Sequence, residues 1–155
     1  MNLPDFPDEN PRAVIGIFQD KRGLYWIFTS HGLLQYERAK DHIIHTGIPP
    51  SWSIWSMMRD FNLLERDDGS VWIPADPNGL FKYIPGTGEF INYRHDPDNP
   101  NSISSDRVTD IIEDGEGNLW ITTFGGGLNI LNDADQETFE HIRYDPGNEN
   151  IMISD

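Results

Sequence analysis

A tryptophan returns at Trp26, Trp72 and Trp120, each time inside the same local pattern, and that recurrence constrains the fold more than any other feature. Displaced by 48 residues, Leu63, Leu64, Glu65, Gly69, Trp72, Ile73, Gly79 and Leu80 fall without a gap on Ile111, Ile112, Glu113, Gly117, Trp120, Ile121, Gly127 and Leu128. Displaced by 46, Ile17, Phe18, Gly23, Trp26 and Ile27 fall on Leu63, Leu64, Gly69, Trp72 and Ile73. One further residue of offset brings Gly32, Leu33 and Tyr36 onto Gly79, Leu80 and Tyr83. The chain is three copies of one unit, and self-similarity at such a period marks a repeat architecture.

Each unit reads as four strands. An apolar run (Val14 to Phe18, Phe61 to Leu64, Val108 to Ile112) leads to an acidic turn ending in Gly23, Gly69 or Gly117, which suits a tight hairpin into the run around the tryptophan. Gly32, Gly79 or Gly127 then opens a third strand, Leu80 to Tyr83 being the clearest, and a fourth is built on Ile43, Phe90 or Phe139. Aromatics at 12% with 14 glycines and 11 prolines also favour short strands and sharp turns over helices. Four strands in about 45 residues make the blade of a β-propeller, which needs a neighbour to cover its sheet faces.

The expected class is therefore all-β, a partial propeller of three four-stranded antiparallel repeats. Residues 1–11 form an N-terminal extension, 12–52 the first blade, 53–100 the second, 101–144 the third and 145–155 an inter-blade linker. That linker repeats too: Asp96, Pro97, Asn99, Asn101, Ser105 and Asp106 recur as Asp145, Pro146, Asn148, Asn150, Ser154 and Asp155. Propellers close with four to eight blades, so three imply either a piece of a longer protein, the favoured reading, or copies completing a ring together.

Charge and composition exclude several functions. With 26 acidic against 11 basic residues the net charge is −15, which repels phosphate backbones and anionic membranes and makes nucleic acid an unsuitable partner. Without cysteine there is no disulfide, thiolate nucleophile, zinc finger or iron–sulfur site. No apolar run approaches a membrane span, and residues 1–11 are acidic and Pro-rich, unlike an export signal.

The third unit resembles the two-component regulator propeller repeat, found in the sensor regions of hybrid histidine kinases. Ile112, Glu113, Asp114, Gly117, Asn118, Leu119, Trp120, Ile121, Thr123, Gly126, Gly127 and Leu128 carry the resemblance, with Asn101 to Ser104 before and Phe139 and Tyr144 after. The first two units are more worn: Pro74 sits in a presumed strand, Asp76-Pro77-Asn78 replaces the glycine run, and His31 stands where Gly126 does. The resemblance implies a non-catalytic segment of a sensor, periplasmic in its parent protein, responding to ligands that include glycan fragments. Kinase activity is not carried over, because no kinase segment is present in these residues.

In a propeller the inter-blade linkers and the loops joining strands two and three lie on one face, the usual ligand entrance. The candidate ligand residues are Trp52, Trp55, Arg59, Arg107, His31, Asn78 and Phe124. Flat aromatic rings beside polar groups suit the apolar faces and hydroxyls of sugars. Three of them have a competing structural role: Trp55 aligns with Ile103, where a side chain plugs between blades, and Arg59 and Arg107 can pair with the abundant acids. Trp26, Trp72 and Trp120 read as core, since a residue present in every unit serves the packing every unit shares.

Other chemistry is thin. Asp114, Glu116 and Asn118, and again Asp133, Asp135 and Glu137, alternate as in calcium loops but lack the downstream bidentate glutamate, so they read as solvated turns. The D-x-G-x-x-W box of sialidases fits Asp67, Gly69 and Trp72 and fails at Gly115. Histidines 31, 42, 45, 95 and 141 have no metal-ligand spacing, and there is no nucleophile elbow. No metal or cofactor is expected. The expected partners are further propeller blades of the same or another chain and an oligosaccharide, with no membrane contact by this segment and homo-oligomers if it is isolated. A polysaccharide hydrolase or lyase is the alternative, and a purely structural assembly module the second alternative.

Overall fold

The computed structural model describes residues 14–30, 32–46, 63–132 and 138–142. It contains three four-stranded antiparallel sheets, each built from strands consecutive in the chain. The first holds β1 (Val14–Gln19), β2 (Tyr25–Thr29), β3 (Gly32–Glu37) and β4 (His42–His45). The second holds β5 (Leu64–Glu65), β6 (Val71–Pro74), β7 (Leu80–Ile84) and β8 (Glu89–Tyr93), and the third β9 (Val108–Glu113), β10 (Leu119–Thr123), β11 (Gly127–Leu131) and β12 (Glu140–Ile142). These are the three expected blades, with the predicted strand order in each.

The chain divides into two compact units, residues 1–51 with the first blade and 52–155 with the other two. In the first blade Ile17 pairs with Ile27 and Ile27 with Leu34, and Phe18, Trp26 and Gln35 line up on the opposite face. His42 and His45 flank Ile43 and Ile44 on the edge strand β4, the fourth strand expected on Ile43.

In the second unit one apolar core joins two blades. Trp72, Leu80 and Tyr93 of the second meet Val108, Ile111, Ile121 and Phe139 of the third, with Ile103 of the linker completely buried among them. The Trp72 ring stacks on Tyr93 with centroids 5.5 Å apart, and Tyr93 meets Phe139 edge-on at 5.6 Å. Side chains of this size contribute about 1.5–3 kcal/mol each when fully buried, so the interface outweighs any single polar contact around it. Phe139 lies one residue before β12 instead of inside it; its ring is drawn into the core, and its amide donates to the Asn101 carbonyl at 2.9 Å.

The worn second blade is accommodated locally. Pro74 ends β6 opposite Leu80, and the described β5 pairs only with Trp72 and Val71, so the missing amide breaks no described ladder bond. Gly79 has φ +87, and a Cβ there would collide with the Tyr93 carbonyl, so only glycine lets β8 approach.

Candidate functional site

The linker before the third blade positions the site. Asp106 accepts from Arg94 Nε at 3.1 Å and from the His95 amide at 2.8 Å, while its carbonyl accepts the Gly79 amide at 2.8 Å. Burial pushes the Asp106 carboxyl up, but the Arg94 and His95 N–H donors and their charges outweigh that and hold it below the usual aspartate range. Further along, the Ser104 amide donates to Asn129 Oδ1 and Asn129 Nδ2 donates to Ser104 Oγ, both at 2.8 Å. Asn129 is wholly buried, so these bonds satisfy a side chain that would otherwise cost 1–3 kcal/mol, by the usual desolvation of an unpaired polar group at roughly that scale. A Cβ on Gly126 would strike Ser104 Oγ and Thr123 Oγ1, which explains the glycine run in this blade.

So tied, the linker delivers Arg107 between two loops. Its guanidinium carbon lies 4.1 Å from the centroid of the Phe124 ring, in the β10–β11 loop. Its Nε donates to Asp76 Oδ1 at 3.3 Å, in the β6–β7 loop of the preceding blade. The backbone closes the same cluster, with the Phe124 amide donating to the Arg107 carbonyl at 2.8 Å and Ser105 Oγ donating to the Phe124 carbonyl at 3.2 Å. Asp76 and Phe124 occupy equivalent positions 48 residues apart, so the cation is held by a carboxylate from one blade and a ring from the next.

Of the candidates from the sequence, Arg107 and Phe124 come together, and Asn78 sits in the same loop as Asp76, half-buried. Trp52, Trp55, Arg59 and His31 lie outside the described residues. The plug position that Trp55 shares in the repeat is filled by Ile103, completely buried. Pairing of Arg107 with an acid, the plainer of its two sequence readings, is what the structure has. Asp76 was missed; its signal was the departure of Asp76-Pro77-Asn78 from the glycine run.

Chemically, the cluster combines an exposed ring with a planar donor. Phe124 is 49% exposed, and Arg107 carries five N–H donors of which the bond to Asp76 uses that on Nε. A ring of this kind takes the apolar face of a sugar, and a guanidinium takes carboxylates or hydroxyl pairs. Among the described residues no group of three or more His, Asp or Glu side chains is arranged to hold a metal.

Residues 102–125, from the linker through Phe124, match the model of the two-component regulator propeller family. The chain also superposes on the extracellular domain of BT4673 from B. thetaiotaomicron, described once as part of a one-component and once as part of a hybrid two-component system. The TM-score is 0.62, with 26% and 25% identity over 83% of this chain and 16% of that one. The extracellular domain of the hybrid two-component system BT3049 from the same organism gives a TM-score of 0.61 with 26% identity, over 83% of this chain and 18% of that one. The chain thus spans less than a fifth of the length of these relatives. No curated protein matches it. Among the described residues no helix is long and apolar enough to cross a membrane.

Proposed function

We propose that the chain is a non-catalytic, ligand-sensing segment of a two-component sensor, working outside the inner membrane as part of a larger propeller. The likeness to extracellular sensor domains supports the role and the address. The observation that carries the ligand reading is the cluster of Arg107, Phe124 and Asp76, a half-exposed ring and a guanidinium at the end of the blades where linker and loops meet. The ligand class that suits it is an oligosaccharide, with Asn78 at the rim and Trp52, Trp55, Arg59 and His31 as the remaining candidates. Its protein neighbours are further propeller blades in the same or another chain, and the acidic surface disfavours nucleic acid.

The test is binding of the chain to an oligosaccharide array, followed by calorimetry on the best ligand with Phe124→Ala and Trp52→Ala. Loss of a stacking ring lowers affinity by about tenfold, the effect of roughly 1.4 kcal/mol. Absence of binding to any glycan removes the sugar reading, and sustained cleavage of a polysaccharide replaces it with the hydrolase or lyase.

A further inference from the structure

A buried segment outside any strand ladder must find other hydrogen-bond partners for its backbone. The linker between the second and third blades is such a segment: Ser102, Ile103 and Ser104 are all buried, between two described blades. The Ser102 amide donates to the Asn99 carbonyl at 3.0 Å, and the Ser104 amide to Asn129 Oδ1 at 2.8 Å. The carbonyls of Ser102 and Ile103 meet imidazoles instead. His141 Nε2, from β12 of the third blade, lies 2.7 Å from the Ser102 oxygen, and His95 Nδ1, two residues past β8 of the second, lies 2.9 Å from the Ile103 oxygen. Consecutive carbonyls are thus taken up from two different blades.

A carbonyl oxygen carries no hydrogen, so each contact is a bond only when the hydrogen sits on the facing ring nitrogen. That selects the Nδ1–H form of His95 and the Nε2–H form of His141, and either bond persists on protonation, because imidazolium donates from both nitrogens. The repeat supports a donor on the fourth strand: His45, Asn92 and His141 pair with the equivalent Leu34, Phe81 and Asn129, and each of the three has an N–H to give. His95 reaches the linker a second time, since its own amide donates to Asp106 Oδ1 at 2.8 Å. Ring and backbone of one residue therefore hold the linker at Ile103 and at Asp106, immediately before Arg107.

We infer that His95 and His141 are positioning residues, which as N–H donors of fixed tautomer pin the linker between the blades and so set where the Arg107 guanidinium stands, over Phe124 and beside Asp76. Their importance rests on the Arg107 cluster being the working site; the contacts themselves rest on no ligand. A donor is told from a filler of space by what replaces it. Asparagine puts an N–H where Nδ1 stands and glutamine where Nε2 stands, whereas leucine fills the volume and donates nothing.

The experiment is nuclear magnetic resonance of the nitrogen-15-labelled full chain, with His95→Leu, His95→Asn, His141→Leu and His141→Gln. In the wild type at about pH 8, where imidazole is neutral, the ring spectra place the hydrogen on Nδ1 of His95 and on Nε2 of His141. In each leucine variant the Ser104 and Gly79 amides, which tie the linker to the two blades, exchange with solvent about tenfold faster, as for one lost hydrogen bond. The Arg107 Nε–H resonance also leaves the position that the Phe124 ring gives it. The asparagine and glutamine variants restore both readings. The opposite tautomer at either histidine, a leucine variant with wild-type exchange and an unmoved Arg107 resonance, or an amide variant no better than its leucine counterpart overturns the inference. The tautomers are read on the wild type and decide even where a variant does not fold. Failure of every glycan to bind removes the sugar reading and leaves these outcomes unchanged.

Discussion

The first hairpins of the second and third blades are equivalent in sequence and opposite in strategy. In the third, Asp114 Oδ1 accepts the amides of Glu116 and Asn118, each at 2.9 Å, and Oδ2 accepts Asn118 Nδ2 at 2.9 Å and the Trp120 indole at 2.8 Å. The first blade repeats the device: Asp20 accepts from the Arg22 and Leu24 amides and from the Trp26 indole at 3.3 Å. In the second blade the position is Arg66, and the Trp72 indole nitrogen is buried with no hydrogen-bond partner among the described residues. Asp68 takes over the turn by accepting from the Ser70 amide and hydroxyl. Arg66 instead crosses to the next blade, donating from Nε to Glu113 Oε1 at 2.9 Å and from Nη2 to the Gly117 carbonyl at 3.0 Å. The difference teaches that a residue which secures a blade internally can be exchanged for one that secures its neighbour, provided the tryptophan it abandons is buried deeply enough to stay in place without it.

The largest effect is expected where that burial is tested. Trp72→Ala costs about 3–5 kcal/mol, as for large aromatic truncations in cores, whereas Trp120→Ala, on the open face, costs clearly less; urea unfolding of both measures the gap. Equal losses would mean that the two tryptophans are packed alike. Trp72→Phe sacrifices no hydrogen bond and stays below about 1.5 kcal/mol by the same measurement.

Next comes the cross-blade latch. Arg66 and Glu113 are about a quarter exposed, so Arg66→Ala costs about 1–2 kcal/mol, discounted for solvent from the value for charge-assisted bonds. Arg66→Asp recovers part of that loss by giving the Trp72 indole the acceptor its counterparts have. If the aspartate variant is less stable than the alanine variant, the equivalence of the hairpins fails.

The smallest effect is the acid response. Hydrogen bonds from the Trp120 indole and Asn118 to Asp114 hold its carboxyl far below the ordinary 3.8. A carboxyl lowered on folding stabilises the fold fully above its unfolded value and loses that contribution as pH falls through the folded value. Stability is therefore insensitive to this group near neutrality and declines below about pH 4. Asp68 is lowered as well: burial raises it, but the Ser70 donors and Arg66 prevail. Tryptophan fluorescence against pH should show a shallower acid decline in Asp114→Asn; an unchanged slope would remove Asp114 from the account.

Much of the scaffold was legible because repetition averages out local noise. The three tryptophans, the turn glycines and the apolar runs place the described strands in the right order; among the described residues the pattern departs at Phe139, pulled out of β12 by the core, and in the run Phe61 to Leu64, of which 61–62 lie outside the described residues and only Leu64 belongs to β5. The site was legible in part. Arg107, Phe124 and Asn78 followed from which loops share a face, while Asp76 did not, since nothing local says that a carboxylate in one blade will meet a guanidinium that starts the next.

The sequence by itself determined the period, the blade and the residues that every copy needs, because those depend on alternation and turn chemistry within some fifty residues. The tertiary structure alone decided which equivalent residues are buried and which are open, and where Arg66 and Arg107 find their partners. Burial and ion pairing depend on what lies across a sheet face, and position along the chain does not encode that: Trp72 and Trp120 are the same residue in the same register, yet only Trp72 has a blade over it.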